Sequence, residues 1–207
     1  MNLPDEIRTI DEFRELTTTV KKSSFTAQVY SISFEDQFKS HLTKAKKKYY
    51  DASHHCFAYK LVNGNVRYSD AGEPNGTAGV RILNAIEHFN LVNQLVIVSR
   101  FFGGIKLGVG PLGKAYYESA FQVLSESKIN TKHLYQKVEI SSEIDQTNII
   151  HRILTNHKSI VIDSEYQDKL RLSCFVKSAE TELISHKLSD SGKSNIIFTI
   201  QSEFVYK

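Results

Sequence analysis

The amino-acid sequence predicts an α+β protein of two domains, and three observations carry that reading. Residues 134–207 alternate strand and helix patterns in the order β-α-β-β-α-β, which is the order of the ferredoxin-like split βαβ motif. Residues 17–126 mix strand-like apolar runs with stretches of helical period. Between the two lies SESKINTK (125–132), polar and aperiodic, the best interdomain linker in the chain. The division is therefore an acidic N-terminal extension (1–16), an N-terminal domain (17–128) and a ferredoxin-like domain (134–207).

Each element follows from its own residues. In TTTVKKSSFTAQVYSI (17–32), Phe25, Ala27 and Val29 alternate with polar positions, so the segment reads as one strand. Phe34, Phe38, Leu42, Ala45 and Tyr49 fall on one helical face, with Lys39, Lys44, Lys46, Lys47 and Lys48 mostly elsewhere. HHCFAYKLV (54–62) reads as a buried strand, and Asn63-Gly64-Asn65 as a hairpin turn into VRYS. After the loop SDAGEPNG (69–76), a helix is expected from Thr77, its candidate N-cap, with Ala78, Ile82, Ile86 and Phe89 on one face. QLVIVSRFF (94–102) suits a strand buried on both faces. Pro111 is expected as the first residue of the next helix, because its missing N–H is not needed there. In the last domain Asp145 is the expected N-cap of the first helix and Gly192 the stop after the second.

Composition narrows the classes of function. The chain has 207 residues, 41% hydrophobic and 24% charged, which is ordinary for globular domains. Its apolar runs are far shorter than the roughly 20 residues that span a bilayer, so no membrane association is expected. The first residues are acidic where a secretory signal would be basic, so a cytoplasmic location is expected. Cys56 and Cys174 sit in apolar strand-like segments and read as buried thiols, with neither disulfide nor metal site expected. Residues 17–133 hold 15 Lys+Arg against 8 Asp+Glu, a net of +7, an argument for an anionic partner.

The segment with the most chemical character is RFFGGIKLGVGPLGK (100–114). Five of the ten glycines fall in its Gly103, Gly104, Gly108, Gly110 and Gly113, between a buried strand and a helix. Glycine suits close backbone approach or positive φ, and a helix N-terminus offers unpaired N–H groups and a positive dipole end to an anion. Arg100, Lys106 and Lys114 add charge around the loop. The same pattern also fits a tight crossover with packed glycines. Gly108-x-Gly110-x-x-Gly113 lacks the strand and acidic residue of a dinucleotide site, and Ala115 stands where a P-loop needs Ser or Thr, so neither nucleotide cofactor nor ordinary nucleotide hydrolysis is expected. Asp70 and Glu73 are candidates for acid–base work and equally suit turn residues; His55 is a third candidate. His54 and His55 must point to opposite faces of their strand, so only one can face a shared pocket. No strong catalytic constellation is present.

KKSSF (21–25), HHCFAY (54–59), YSDAGEPNGTAG (68–79) and LVIVSRFFGGIKLGVGPLGKAY (95–116) resemble the IMPACT family, over residues 17 to about 126. The resemblance implies an N-terminal domain with the fold of the second domain of a small-subunit ribosomal protein, and a C-terminal domain similar to the fifth domain of elongation factor G. It implies a translation-associated role, with no catalytic residue carried over. Eukaryotic members are associated with translational control through an additional N-terminal domain, which is not expected here given the short segment before residue 17.

The leading expectation is a non-catalytic protein that binds RNA or the ribosome and regulates translation. Arg100, Lys106 and Lys114 would engage phosphates, and the basic patch Lys44, Lys46, Lys47 and Lys48 would add sequence-independent attraction. Tyr49, Tyr50 and Phe102 would offer stacking faces. The alternatives are an enzyme acting on an anionic small molecule held by the same loop, favoured by a concave pocket joining these residues, and a regulator that binds a protein partner through the C-terminal domain.

Overall fold

The computed structural model describes residues 3–191 and 196–207, so the Gly192 helix stop lies outside the described residues. The chain forms two compact units, Ile7–Thr131 and Lys132–Lys207, the latter with the residues up to Glu6. Both mix helix and antiparallel strand, and the α+β class stands.

After a short strand β1 (Glu6–Thr9), the strands of the first unit are β2 (Arg14–Val20), β3 (Ser23–Ser31), β4 (His54–Lys60), β5 (Val66–Ser69) and β6 (Gln94–Phe101). The helices are α1 (Glu35–Lys48), α2 (Gly79–His88) and α3 (Val109–Ser125). The sheet runs β2-β3-β6-β4-β5, antiparallel throughout, with β6 at its centre and seven of its eight residues buried. Both faces are covered. Phe25, Ala27, Val29, Cys56, Ala58, Val96 and Val98 face α2 and α3, while Phe57, Tyr59, Leu95 and Ile97 face α1 with Phe38 and Ala45. A strand covered on both faces has no polar side to alternate with, which is why β6 reads as a continuous apolar run.

The strand expected over 17–32 is instead a hairpin. Lys21 (φ 44) and Lys22 (φ 69) turn β2 back along β3. Positive φ at two adjacent turn residues is usually signalled by Asn or Gly, and two lysines give no such signal. Within the N-terminal segment, Ile10 is buried in the core, Gln94 donates to Thr9 Oγ1 (2.7 Å) and to the Ile10 carbonyl (2.9 Å), and Glu15 pairs with Lys48.

The second unit comprises β7 (Asn130–Ser142), α4 (Thr147–Asn156), β8 (Ile160–Tyr166), β9 (Leu170–Lys177), α5 (Thr181–Ser191) and β10 (Ile197–Tyr206), with sheet order β10-β7-β9-β8. Val138, Ile140, Leu172 and Cys174 close on Ile150, Leu154, Ile184 and Leu188 of its helices. Asp145 lies within a short 3-10 turn (Ile144–Gln146) and does not cap α4.

Candidate functional site

Three elements converge at one end of the sheet: the loop after β5, the end of β6, and the glycine segment leading into α3. Asp70 organises the first. Its Oδ1 accepts the N–H groups of Ala78 (2.9 Å) and Gly79 (2.8 Å), and its Oδ2 that of Gly76 (2.9 Å). The carboxylate thus satisfies donors at the start of α2 from eight residues away, while Thr77, the expected cap, donates its hydroxyl to the Pro74 carbonyl (2.6 Å). Burial raises the Asp70 pKa, and the three N–H donors more than offset this, leaving it below the usual carboxylate value. Asp70 acts as a cap on the start of α2.

The loop that Asp70 pins delivers Glu73 into the protein. Glu73 Oε1 accepts from Arg100 Nη1 at 2.7 Å and from the Tyr116 hydroxyl at 2.8 Å, and the Arg100 and Glu73 side chains are 7% and 4% exposed. Burial first, and then the neighbouring Cys56 and Glu73, push the Tyr116 pKa far up, so the phenol stays protonated and donates. Cys56 Sγ lies 2.9 Å from the Asp70 carbonyl oxygen and 3.3 Å from the Tyr116 hydroxyl, and burial lifts its pKa to about 12. Arg100 lies 5.6 Å from the ring centroids of both Phe25 and Phe102, and its Nε is buried without a hydrogen-bond partner.

The glycine segment splits by role. A Cβ on Gly103 would stand 2.0 Å from the Lys22 carbonyl oxygen, so this position is closed to any side chain by the β2–β3 turn. Gly104 (φ 82) and Gly108 (φ 83) adopt left-handed backbone. Gly108 is the N-cap of α3, and Leu112 N–H donates to its carbonyl (2.9 Å). Pro111 is thus the third residue of α3 and not its first. With Pro111 lacking an N–H, the donors left without an intrahelical acceptor in this turn are those of Val109 and Gly110.

These parts enclose a cavity of about 520 Å³, lined among others by His54, Glu73, Arg100, Phe102, Lys106 and Gly108. Its mouth carries exposed apolar side chains, Phe102 at 49% and Val109 at 65%. Lys106 has no ion-pair partner among the described residues, whereas Arg100 is neutralised by Glu73, so Lys106 supplies the uncompensated charge. His54 Nε2 stands 3.9 Å from Glu73 Oε2 while its Nδ1 meets the Ala71 carbonyl (3.0 Å).

Of the sequence-derived candidates, the structure brings together Arg100, Glu73, Lys106 and Gly108. It turns His55 to the other face of β4, where its Nδ1 meets Ser99 Oγ (2.9 Å) and burial lowers its pKa. His54 takes the place at the cavity. Lys44, Lys46, Lys47 and Lys48 belong to α1, on the opposite face of the sheet, and Lys48 is held by Glu15 at 2.8 Å. Lys114 lies beyond the first turn of α3, 3.5 Å from Glu118. Phe102, expected as a stacking face, stands at the rim, while His54 and Tyr116 were not singled out from the sequence as parts of the site; the parity of β4, with His54 in phase with Cys56 and Ala58, is the signal that assigns His54.

Fold and site together define a two-unit α+β protein whose first unit carries a concave site at a helix N-terminus. The model of the Impact N-terminal domain matches residues 21–124, and the chain belongs to the IMPACT family. It is similar to the IMPACT family member YvyE of Bacillus subtilis, 29% identical over 192 residues that span 91% of this chain and 88% of the relative. It is also similar to YigZ of Escherichia coli, 28% identical over 86% of this chain and 89% of that one. A solved structure described as that of a hypothetical protein, 26% identical, superposes with a TM-score of 0.68 over 97% of this chain and 100% of its own. No helix among the described residues is long and apolar enough to cross a membrane.

Proposed function

We propose that the chain is a non-catalytic RNA-binding protein of the translation apparatus, and that the cavity beside α3 takes one nucleotide of a single strand. The observation that carries this reading is the convergence of an unpaired cation (Lys106), the first turn of α3 with the free N–H of Val109, and an exposed aromatic face (Phe102) at a single concave site. Helix N-terminus and lysine suit a phosphate, and the ring suits a base, since every base has a stacking face. The volume of about 520 Å³ is within the range of small-ligand pockets, roughly 300–1,000 Å³. Glu73 is committed to Arg100 and Tyr116, and Asp70 to the α2 backbone, which argues against acid–base chemistry by either.

A second reading has one specific observation behind it. His54 and Glu73 face each other at 3.9 Å on the cavity wall, an arrangement that also suits an enzyme acting on a small anionic molecule.

The test is fluorescence anisotropy with a labelled single-stranded RNA across a salt series. The RNA reading expects affinity to fall with salt, the slope to shrink by about 0.7 in Lys106→Ala, and Phe102→Ala to weaken binding by roughly 1–3 kcal/mol. Salt-independent binding, unaffected by either substitution, rejects it.

A further inference from the structure

α3 has a cavity on each side of its first turn. The second, of about 400 Å³, is lined by Thr77, Arg81, Asn84, Gly110, Lys114 and Tyr117, and it shares Val109 with the first. Two cations from different helices face it. Arg81 of α2 is seated by the missing side chain of Gly113, where a Cβ would stand 3.3 Å from its Nε, and by a bond to the Gly76 carbonyl (3.3 Å). The Lys114 side chain is 74% exposed, and its contact with Glu118 is a solvent-screened pair of little strength.

Gly110 lines the second cavity next to the shared Val109 and needs a reason. It is helical with ordinary φ, and a Cβ there would meet nothing within 4 Å. Neither backbone conformation nor internal packing demands glycine, yet glycine within a helix is unfavourable relative to alanine. Close approach of something outside the chain to the backbone accounts for it. Gly108 and Gly110 flank Val109, so the ridge between the cavities is a stretch of backbone carrying one small side chain. On the far side, Arg100 lines the first cavity with its charge taken up by Glu73, which leaves Lys106 as the cation for an anion there.

We infer that the two cavities form one track, in which a nucleic-acid strand crosses the bare first turn of α3 with one phosphate beside Lys106 and another beside Arg81 and Lys114. The inference rests on the RNA reading and narrows it: the ligand is an oligonucleotide with at least two consecutive phosphates, and a mononucleotide fills only half the site. Gly110 is the crossing point. Lys114, which does not line the first cavity, acquires a role as the second anchor.

Calorimetric titrations with uridine monophosphate and with an octauridylate test it, on wild type, Gly110→Ala, Lys114→Ala and Lys106→Ala. The track expects the octamer to bind at least about tenfold more tightly than the monophosphate, a gap that Gly110→Ala and Lys114→Ala remove without altering monophosphate affinity. Gly110→Ala should raise the melting temperature while weakening the octamer, so lost binding cannot be put down to misfolding. Lys106→Ala should weaken both ligands. An unchanged octamer advantage in Gly110→Ala and Lys114→Ala, or equal weakening of both ligands, overturns the track while leaving RNA binding in place. Failure of the wild type to bind either ligand overturns the track and the RNA reading together.

Discussion

Replacing Glu73 with alanine tests how the site is held together. The carboxylate compensates a buried guanidinium at 2.7 Å and receives a buried phenol at 2.8 Å, and both members of the ion pair are less than a tenth exposed. Removing one partner of a buried pair leaves the other charge without compensation, at a cost of about 3–5 kcal/mol. At roughly 2–4 °C per kcal/mol, the melting temperature should fall on the order of 10 °C. Urea unfolding followed by far-ultraviolet circular dichroism measures the loss, the chain having no tryptophan to report it. Glu73→Gln, which keeps an acceptor, should cost less, and by leaving Arg100 less neutralised should tighten RNA binding. The double variant Glu73→Ala/Arg100→Met should be more stable than Glu73→Ala alone, because the orphaned charge is gone. If Glu73→Ala costs under about 1 kcal/mol, the pair does not organise the site and the reasoning fails.

Three further outcomes follow from the same geometry. Asp70→Ala should destabilise the first unit by about 0.5–2 kcal/mol, the range for losing a helix cap. Because the native Asp70 pKa lies below its unfolded value of about 3.9, its contribution is complete above that pH and disappears as the pH falls through the native value, so Asp70→Asn should be less stable than wild type near pH ~6 and converge with it in acid; a stability gap that stays the same from pH ~6 to pH ~2 contradicts this. Cys56 and Cys174, both with pKa pushed up to about 12 by burial, should resist alkylation at pH ~8 in native protein and react once it is unfolded; rapid native labelling of either refutes the assignment. Gly103→Ala must move the β2–β3 turn away from the glycine loop and should cost about 1–3 kcal/mol by overpacking; a variant as stable as wild type in urea shows that the turn yields freely.

The fold was legible where periodicity is strong and hidden where a backbone feature lacks its usual residue. The stripes through Phe38 and Ala45 and through Ile82 and Ile86 identify α1 and α2, and the apolar run at 94–101 identifies the central strand. The Lys21–Lys22 turn was invisible because lysine is not a positive-φ residue by habit. The start of α3 was misplaced because Pro111 fits the first helical position, yet Gly108, free to take φ 83, begins the helix earlier. The site was half legible. Glycines and cations marked the segment, but charge alone cannot tell Arg100, consumed by a carboxylate 27 residues away, from Lys106, which is unpaired. The α1 lysines were grouped with the loop by sign, and the sheet between them separates the two.

The measurement that bears most directly on the proposed site is photo-crosslinking of a 4-thiouridine-substituted single-stranded RNA to the wild-type protein, with the linked peptides mapped by mass spectrometry. The account predicts crosslinks within residues 100–117, centred on Phe102 and lost in Phe102→Ala. Crosslinks confined to α1 or to the second unit would contradict it.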